Sequence, residues 1–482
     1  MITAIGACGL PRRRRHDQRP FDSSFPCRWH AQGSRGMTYP RYPKYKDSGV
    51  EWLGEVPEHW NVASVKRLFS VVGGSTPKSE NEAFWEGGIV WVTPADLSQI
   101  KGLLIADSTR RISEEGLASC GTTLVPEGSL ILSTRAPIGS LGIAATVMCT
   151  NQGCKALVPN PETNAKFYAY LFSASNDELN IRGKGTTFLE LSGDALASFS
   201  IPVPFPVEQT AIAVFLDRET GRIDALIAEQ EKLIELLKEK RQAVISHAVT
   251  KGLDPSAPMK DSGIKWLGDV PAHWEFKRFK DVCVEIVDCK NRTPDQFDDG
   301  EYFVVRTSCV KDGLFDQQHG YMTNLDNFLE WTRKGRPRDG DVLFTREAPA
   351  GEACLSPVGL DFCLGQRMMY LRPDLSQIRS DFLLLSVYGP QVRQFIQAKA
   401  KGSTVGHLRV GEVGELPCLI PPIDEQAALS ATMAQFDCQM DELSAEALRA
   451  IELLKEHRSA LISAAVTGKI DVRGLVPDQE AA

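Results

Sequence analysis

The chain has 482 residues, 43% hydrophobic and 24% charged, with a formal net charge of −8. That length implies two to four domains. No apolar run reaches the ~18–20 residues of a membrane span. The acidic balance argues against a strongly basic, free-standing nucleic-acid binder, though not against local basic patches or a binder that borrows positive charge from partners. Twelve cysteines are scattered without a CxxC pair, so reduced, mostly buried thiols in a cytoplasmic protein are expected rather than a zinc site.

Residues 1–36 carry four consecutive arginines at 12–15 but no apolar region after them, so they do not read as a signal peptide. They are expected to be a disordered leader or a mis-assigned start, with translation opening at Met37. A motif, KDSGVEWLGEVPEHW at 46–60, fills most of 37–61. A mixed segment follows over 62–205, in which GGIVWV and SLILST read as strands and FYAYLFSA as a helix. Proline then announces a long helix over 206–255.

The same order returns. KDSGIKWLGDVPAHW at 260–274 lies within 256–274. A second mixed segment covers 275–421, with YFVVR and DVLFTR as strands and DFLLLSVYG as a helix. A second long helix over 422–470 precedes a tail at 471–482. The helices share IELLKEKRQAVISHAV (234–249) and IELLKEHRSALISAAV (451–466), and without a gap Glu208-Gln209 falls on Glu425-Gln426. Each helix would run roughly 60 Å.

Seven-residue spacing marks both helices. Ile223, Gln230, Leu237 and Val244 recur in the first, and Met440, Ala447, Leu454 and Leu461 in the second. Such a pattern favours a coiled coil, most simply an antiparallel pair within the chain; two amphipathic helices on separate domains are the alternative. Trp52, Trp60, Trp266 and Trp274 of the two motifs are expected to anchor packing. Each motif either packs near the end of the other half's helix, closing a ring, or staples its own globule.

The mixed segments diverge but keep landmarks in order. Thr134-Arg135-Ala136-Pro137 answers Thr345-Arg346-Glu347-Ala348-Pro349 with one insertion, Gln152 answers Gln366, and Gly185-Thr186-Thr187 answers Gly402-Ser403-Thr404. The expected fold is α+β: two similar mixed α/β globules separated by two long helices that form an antiparallel coiled coil, with a pseudo-twofold internal repeat. Shared borders around divergent centres suggest two reading heads on one measuring frame, suited to an asymmetric, bipartite DNA site.

GGSTP at 73–77, WVTPADL at 91–97, STRAPIG at 133–139, NQG at 151–153, and IPVP, Glu208-Gln209 and FLD between 201 and 217 resemble specificity (S) subunits of Type I restriction–modification systems. The resemblance spans residues 40–470, and the leader has no place in it. It implies that the globules are target recognition domains and that the helices are spacers docking two modification (M) subunits. Those subunits would bind S-adenosylmethionine and methylate adenine. Restriction (R) subunits would add ATP- and Mg-dependent translocation and cleavage, so this chain itself would hold no cofactor.

Phosphates and bases call for cations, hydroxyls, amides and close backbone approach. The candidate DNA contacts are Ser75, Thr76, Lys78, Lys184, Thr186 and Thr187 in the first head, and Lys290, Asn291, Arg292, Lys401, Ser403 and Thr404 in the second. Solvated surface loops are the alternative for each. Arg135 and Arg346, taken as common to both heads, read as structural. Each head is slightly acidic, 11 basic against 13 acidic residues over 60–205 and 19 against 21 over 275–421, so partners are expected to supply much of the backbone grip.

No NPPY-like or DPPY-like tetrapeptide, P-loop or nuclease carboxylate–lysine cluster is found. Accordingly no catalytic or metal-ligating residue is assigned, and His59 and His273 read as packing residues. A coiled-coil scaffold whose globules bind proteins is the rival function; a chain carrying its own nuclease is disfavoured by the missing motifs.

Overall fold

A computed structural model describes residues 39–100, 102–135, 137–184, 189–264, 267–290, 292–400 and 407–475. Its frame is a pair of long helices, a central one at Pro206–Lys251 and a distal one at Ile423–Val466. They run antiparallel. Asp224 pairs with Arg458 at 2.9 Å, while Arg241 pairs with Asp437 at 3.2 Å and with Asp441. As the position rises from 224 to 241 on one helix, its partner falls from 458 to 441 on the other. The repeat maps Asp224 onto Asp441 and Arg241 onto Arg458, so the two ion pairs are images of each other across a pseudo-twofold axis.

The heptad seam behaves as its spacing requires. Ile223, Leu237, Met440, Ala447 and Leu461 are buried, as is Ile451 between them, while Gln230, Val244 and Leu454 are half-buried. The charged faces between them stay in water, the cheaper place for charge.

Each head is built the same way. In the first, a five-stranded sheet runs in the order Phe69–Gly73, Cys154–Pro159, Leu130–Ser133, Leu141–Ala144, Leu104–Ile105, beside a three-stranded sheet centred on Trp85–Val92. In the second, the order is Cys283–Asp288, Met368–Pro373, Val342–Thr345, Ala353–Leu355, beside a three-stranded sheet centred on Tyr302–Val305. The ends of each head are drawn together by a two-stranded ladder, Asn61–Ser64 with Ser200–Val203 and Glu275–Arg278 with Pro417–Ile420. A head is therefore an insertion closed at its base between a motif and a helix.

The first head's core merges with the start of the central helix (Ile212, Phe215, Leu216) and the end of the distal one (Leu461, Ile462, Val466). The second head's core merges with Ile245 and Ala248 at one helix end and Leu429 and Met433 at the other helix start. The heads thus sit at opposite ends of the coil.

The Glu-Gln pairs explain this seating. Gln209 accepts the backbone N–H of Asn164 and donates to the carbonyl of Pro204, both at 2.9 Å. Gln426 accepts the N–H of Arg379 and donates to the carbonyls of Gln377 and Pro421, each at 2.9 Å. Glu208 takes the Tyr42 hydroxyl at 2.6 Å and faces His59 at 2.9 Å. Glu425 takes the Trp274 indole N–H at 3.1 Å and faces His273 at 2.7 Å. The acid also suits the positive end of a helix.

Both expectations for the motifs hold at once. Trp52 stacks on Phe199 of its own head at 5.3 Å. Trp60 and Trp274, fully buried, lie where one long helix begins and the other ends. The distal helix stops at Gly468 (φ +74), where an added Cβ would fall 2.4 Å from Pro57 and 3.1 Å from Trp60. The central helix stops at Gly252 (φ +76) against Trp274. The chain beyond the distal helix then meets the chain before the first motif: the Asp471 N–H donates to the Pro40 carbonyl at 2.7 Å and the Tyr45 hydroxyl to the Gly468 carbonyl at 3.1 Å. The ring closes. Trp266 lies outside the described residues.

Two pairs of variants test this frame by urea denaturation. Gln209→Ala and Gln426→Ala each strand buried backbone groups and should cost about 1–3 kcal/mol. Gly468→Ala meets both a steric wall and a positive φ and should also destabilise. Gly221→Ala, in open space on a helix the glycine does not interrupt, should instead stabilise by about 1 kcal/mol.

Candidate nucleic-acid interface

In the first head the loop after Phe69–Gly73 is pressed onto residues 150–152. A Cβ on Gly74 would lie 2.1 Å from the Asn151 carbonyl oxygen, so only glycine lets the backbones approach this closely. The Ser75 N–H donates to the Thr150 carbonyl at 3.0 Å, and the Ser75 carbonyl accepts the Trp91 indole N–H at 3.0 Å. The Thr76 hydroxyl bonds to the Gln152 side chain. Lys78 stays exposed while its carbonyl accepts from the indole of Trp85 at 3.3 Å.

Backbone hydrogen bonds extend this rim. Thr134 donates to the Gly153 carbonyl at 2.8 Å, and Leu191 donates to the Thr134 carbonyl at 3.0 Å. Lys184 and Glu190 exchange two backbone bonds of 3.0 Å. So Ser75, Thr76 and Lys184, far apart in sequence, belong to one continuous edge. Thr186 and Thr187 lie outside the described residues.

The second head repeats the edge. The Gln366 N–H donates to the Thr293 hydroxyl at 3.4 Å. Arg346 donates to the Arg367 carbonyl at 2.9 Å, and Leu408 donates to the Arg346 carbonyl at 3.1 Å. Asn291, Lys401, Ser403 and Thr404 lie outside the described residues. Gln152, Gln366 and Thr293 are edge residues that the sequence did not single out as DNA contacts, although both glutamines stand out in it as shared landmarks.

These bonds correct one equivalence. The Ser133 hydroxyl donates to the Pro137 carbonyl and that of Thr345 to the Pro349 carbonyl, both at 2.6 Å. Ser133 therefore answers Thr345 with no insertion, Thr134 answers Arg346, and Arg135 answers Glu347. Matching the letters Thr-Arg placed the turn one residue out of register. The two arginines do different jobs. Arg346 is buried, beside Asp288 at 3.2 Å and donating to the Leu408 carbonyl at 3.2 Å. Arg135 is exposed, and its Nη2 donates to both oxygens of Glu190 at 2.8 Å.

Lys290 and Arg292 gather at the end of the helix Leu325–Trp331. Both pair with Glu330, and both lie over the Trp331 ring, at 4.7 and 5.3 Å. The indole N–H donates to the Arg292 carbonyl at 3.0 Å. Desolvation, with Arg292 and Arg333 close by, pushes the Lys290 ammonium below its ordinary pKa. Sequence reading stopped at this pair and missed WTRKGRPR at 331–338, where Arg333, Lys334, Arg336 and Arg338 are all exposed. Four cations in eight residues were the available signal. Arg336 covers the Phe328 ring at 5.2 Å and pairs with Asp361. Among the described residues, the first head has no run of this kind.

Seven described cysteines are buried; burial pushes the thiols of Cys149 to about 11 and Cys154 to about 12, so they are protonated packing groups. Among the described residues no group of three His, Cys, Asp or Glu could hold a metal ion, and no helix is long and apolar enough to cross a membrane.

The family model for the Type I restriction modification DNA specificity domain matches the chain twice, over residues 57–236 and 271–453. The MjaIX specificity subunit of Methanocaldococcus jannaschii is 25% identical over 436 residues, covering 88% of this chain and 96% of that one. The EcoKI specificity subunit of Escherichia coli K12 is 23% identical over 447 residues, covering 86% and 90%. A chain solved in work on complex assembly and conformational transition of the type I R-M system shares the fold, with TM-score 0.64 and 16% identity over 85% of this chain and 98% of that one. With two matched domains, two heads of one design and a closed helical frame, the chain belongs to the specificity subunits of Type I restriction–modification systems, whose work is sequence-specific DNA recognition.

Proposed function

We propose that the two heads read the two blocks of an asymmetric DNA site while partner subunits carry out all the chemistry. The carrying observation is that both heads present the same hydrogen-bonded edge with different side chains on it. A common frame then holds two different readers in equivalent poses, which asks for two different half-sites. The head cores join the central helix near residues 216 and 247, about 47 Å apart along its axis. That corresponds to roughly 14 base pairs between block centres.

This chain acts without catalysis. S-adenosylmethionine, ATP and Mg belong to its modification and restriction partners, and the complex works in the cytoplasm. Two modification subunits are supported by exposed leucines on the coil. Leu226 and Leu443 are 46% and 43% exposed, and Leu236 and Leu453 are 51% and 64% exposed. Each couple occupies equivalent places in the repeat, so the coil presents the same two exposed leucines twice, which suits two copies of one partner.

The second head supplies more of the phosphate grip through its 331–338 strip. The first head relies more on its partner's charge.

Three measurements test this reading. Mapping methylated adenine in a methylation-free host that expresses the chain with its modification subunit should reveal one asymmetric two-block motif, and exchanging residues 62–205 should change one block only; a stable complex that yields no motif would sink the proposal. Leu236→Glu alone should leave one modification subunit per chain by mass photometry, and Leu236→Glu with Leu453→Glu should leave none. Neutralising Arg333, Lys334, Arg336 and Arg338 together should flatten the slope of log affinity against log salt by roughly 0.9 for each phosphate the strip had neutralised, with base preference retained.

A further inference from the structure

We infer that each head reads a base with one buttressed arginine, Arg135 in the first and Arg367 in the second, delivered from different strands to the same place on the edge. The inference rests on the DNA-reading function and adds one base-reading residue to each head.

Arg367 stands where the first head has Gly153, since their carbonyls accept the equivalent N–H groups of Arg346 and Thr134. Its backbone has φ +75, a left-handed conformation that glycine adopts freely and a long side chain does not. An arginine kept there is kept for its side chain. The side chain is 45% exposed, and its Nε is steadied by Glu347 at 2.9 Å. Glu347 is itself only 20% exposed and also holds His407.

In the first head the chemistry is reversed on the same scaffold. Arg135 answers Glu347, and Glu190, one residue before Leu191, answers His407, one residue before Leu408. The pair Arg135–Glu190 is thus Glu347–His407 with its polarity exchanged. Each head ends with one exposed arginine on this edge and one carboxylate fixing it. Gln366, beside Arg367 in the chain, donates its backbone N–H to the Thr293 hydroxyl, and Gln152, beside Gly153, accepts the Thr76 hydroxyl with its side chain. An arginine held on one side by a carboxylate keeps a planar fork of donors, the shape that recognises the O6 and N7 of guanine in the major groove. The two forks come from neighbouring strands of equivalent sheets, Arg135 just after Leu130–Ser133 and Arg367 just before Met368–Pro373.

The test uses the full chain with its modification subunits and DNA pools randomised across both blocks. The parent complex should select a fixed base at one position that depends on Arg135 and another that depends on Arg367. Arg367→Gly relieves the positive φ, so thermal stability should hold or rise, while preference at one position of the second head's block should fall by about tenfold or more. Arg367→Gln, which keeps the Cβ, should lose the same preference, and Arg135→Gln should lose one in the other block. Unchanged selectivity in both Arg367 variants would overturn the inference, as would a uniform loss of affinity that leaves every preference intact. A parent complex that selects no sequence at all would overturn the DNA-reading function along with it.

Discussion

Everything in this molecule hangs on the place where one long helix starts and the other stops. There a buried glutamine fastens the backbone of a head to the first turn of a helix, and the neighbouring glutamate fastens a motif to the same turn. A tryptophan from that motif caps the last turn of the opposing helix, which must finish in a left-handed glycine to make room. Burying polar groups is costly unless all of them find partners, so the junction is demanding in sequence. That demand explains why KDSG–HW and Glu-Gln occur twice almost unchanged while the segments between them drifted apart.

The two junctions are equivalent without being identical. At the second, the Trp274 indole supplies the proton that Glu425 accepts. At the first, the Tyr42 hydroxyl supplies it to Glu208, and the Trp60 indole N–H has no partner among the described residues. Burial and the adjoining carboxylate push the Tyr42 hydroxyl well above its ordinary pKa, so it remains a donor across the working range. The same carboxylate is satisfied by two different residues, which shows that the geometry of the junction is held more tightly than its letters. The heads follow the same logic at larger scale, with a matching strand order to which the first head adds Leu104–Ile105, and unequal edge chemistry.

Much of the frame was legible because its constraints are periodic or repeated. The heptads at Ile223 and Leu237 and the twin IELLKE segments demanded a helical pair, and Glu208-Gln209 stood out once the copies were aligned. The edges of the heads were harder. Thr-Arg occurs in both turns, and the letters matched one residue out of register. In a sheet, register is fixed by pairing, and a one-residue slip changes which side chain faces where. The shared hydroxyl bonds of Ser133 and Thr345, and the shared bonds to the carbonyls of Gly153 and Arg367, settle it. Arg333 to Arg338 were missed for another reason: a count over the whole head averages a local cationic strip with distant acids and hides it.

The closed ring also says something about how such a molecule can change. Residues 40 and 471 meet through hydrogen bonds, while the other junction is spanned by the covalent chain at 252–274. In packing terms the two joints are alike, so the molecule is two homologous half-chains, one joint of which happens to be covalent. A head enters and leaves the frame at a single two-stranded ladder. Recombination within the repeated borders can therefore replace one reader while the other, and the distance between them, remain as they were. The repeated joints make this protein a cassette holder as much as a reader, and they set what its descendants are able to learn.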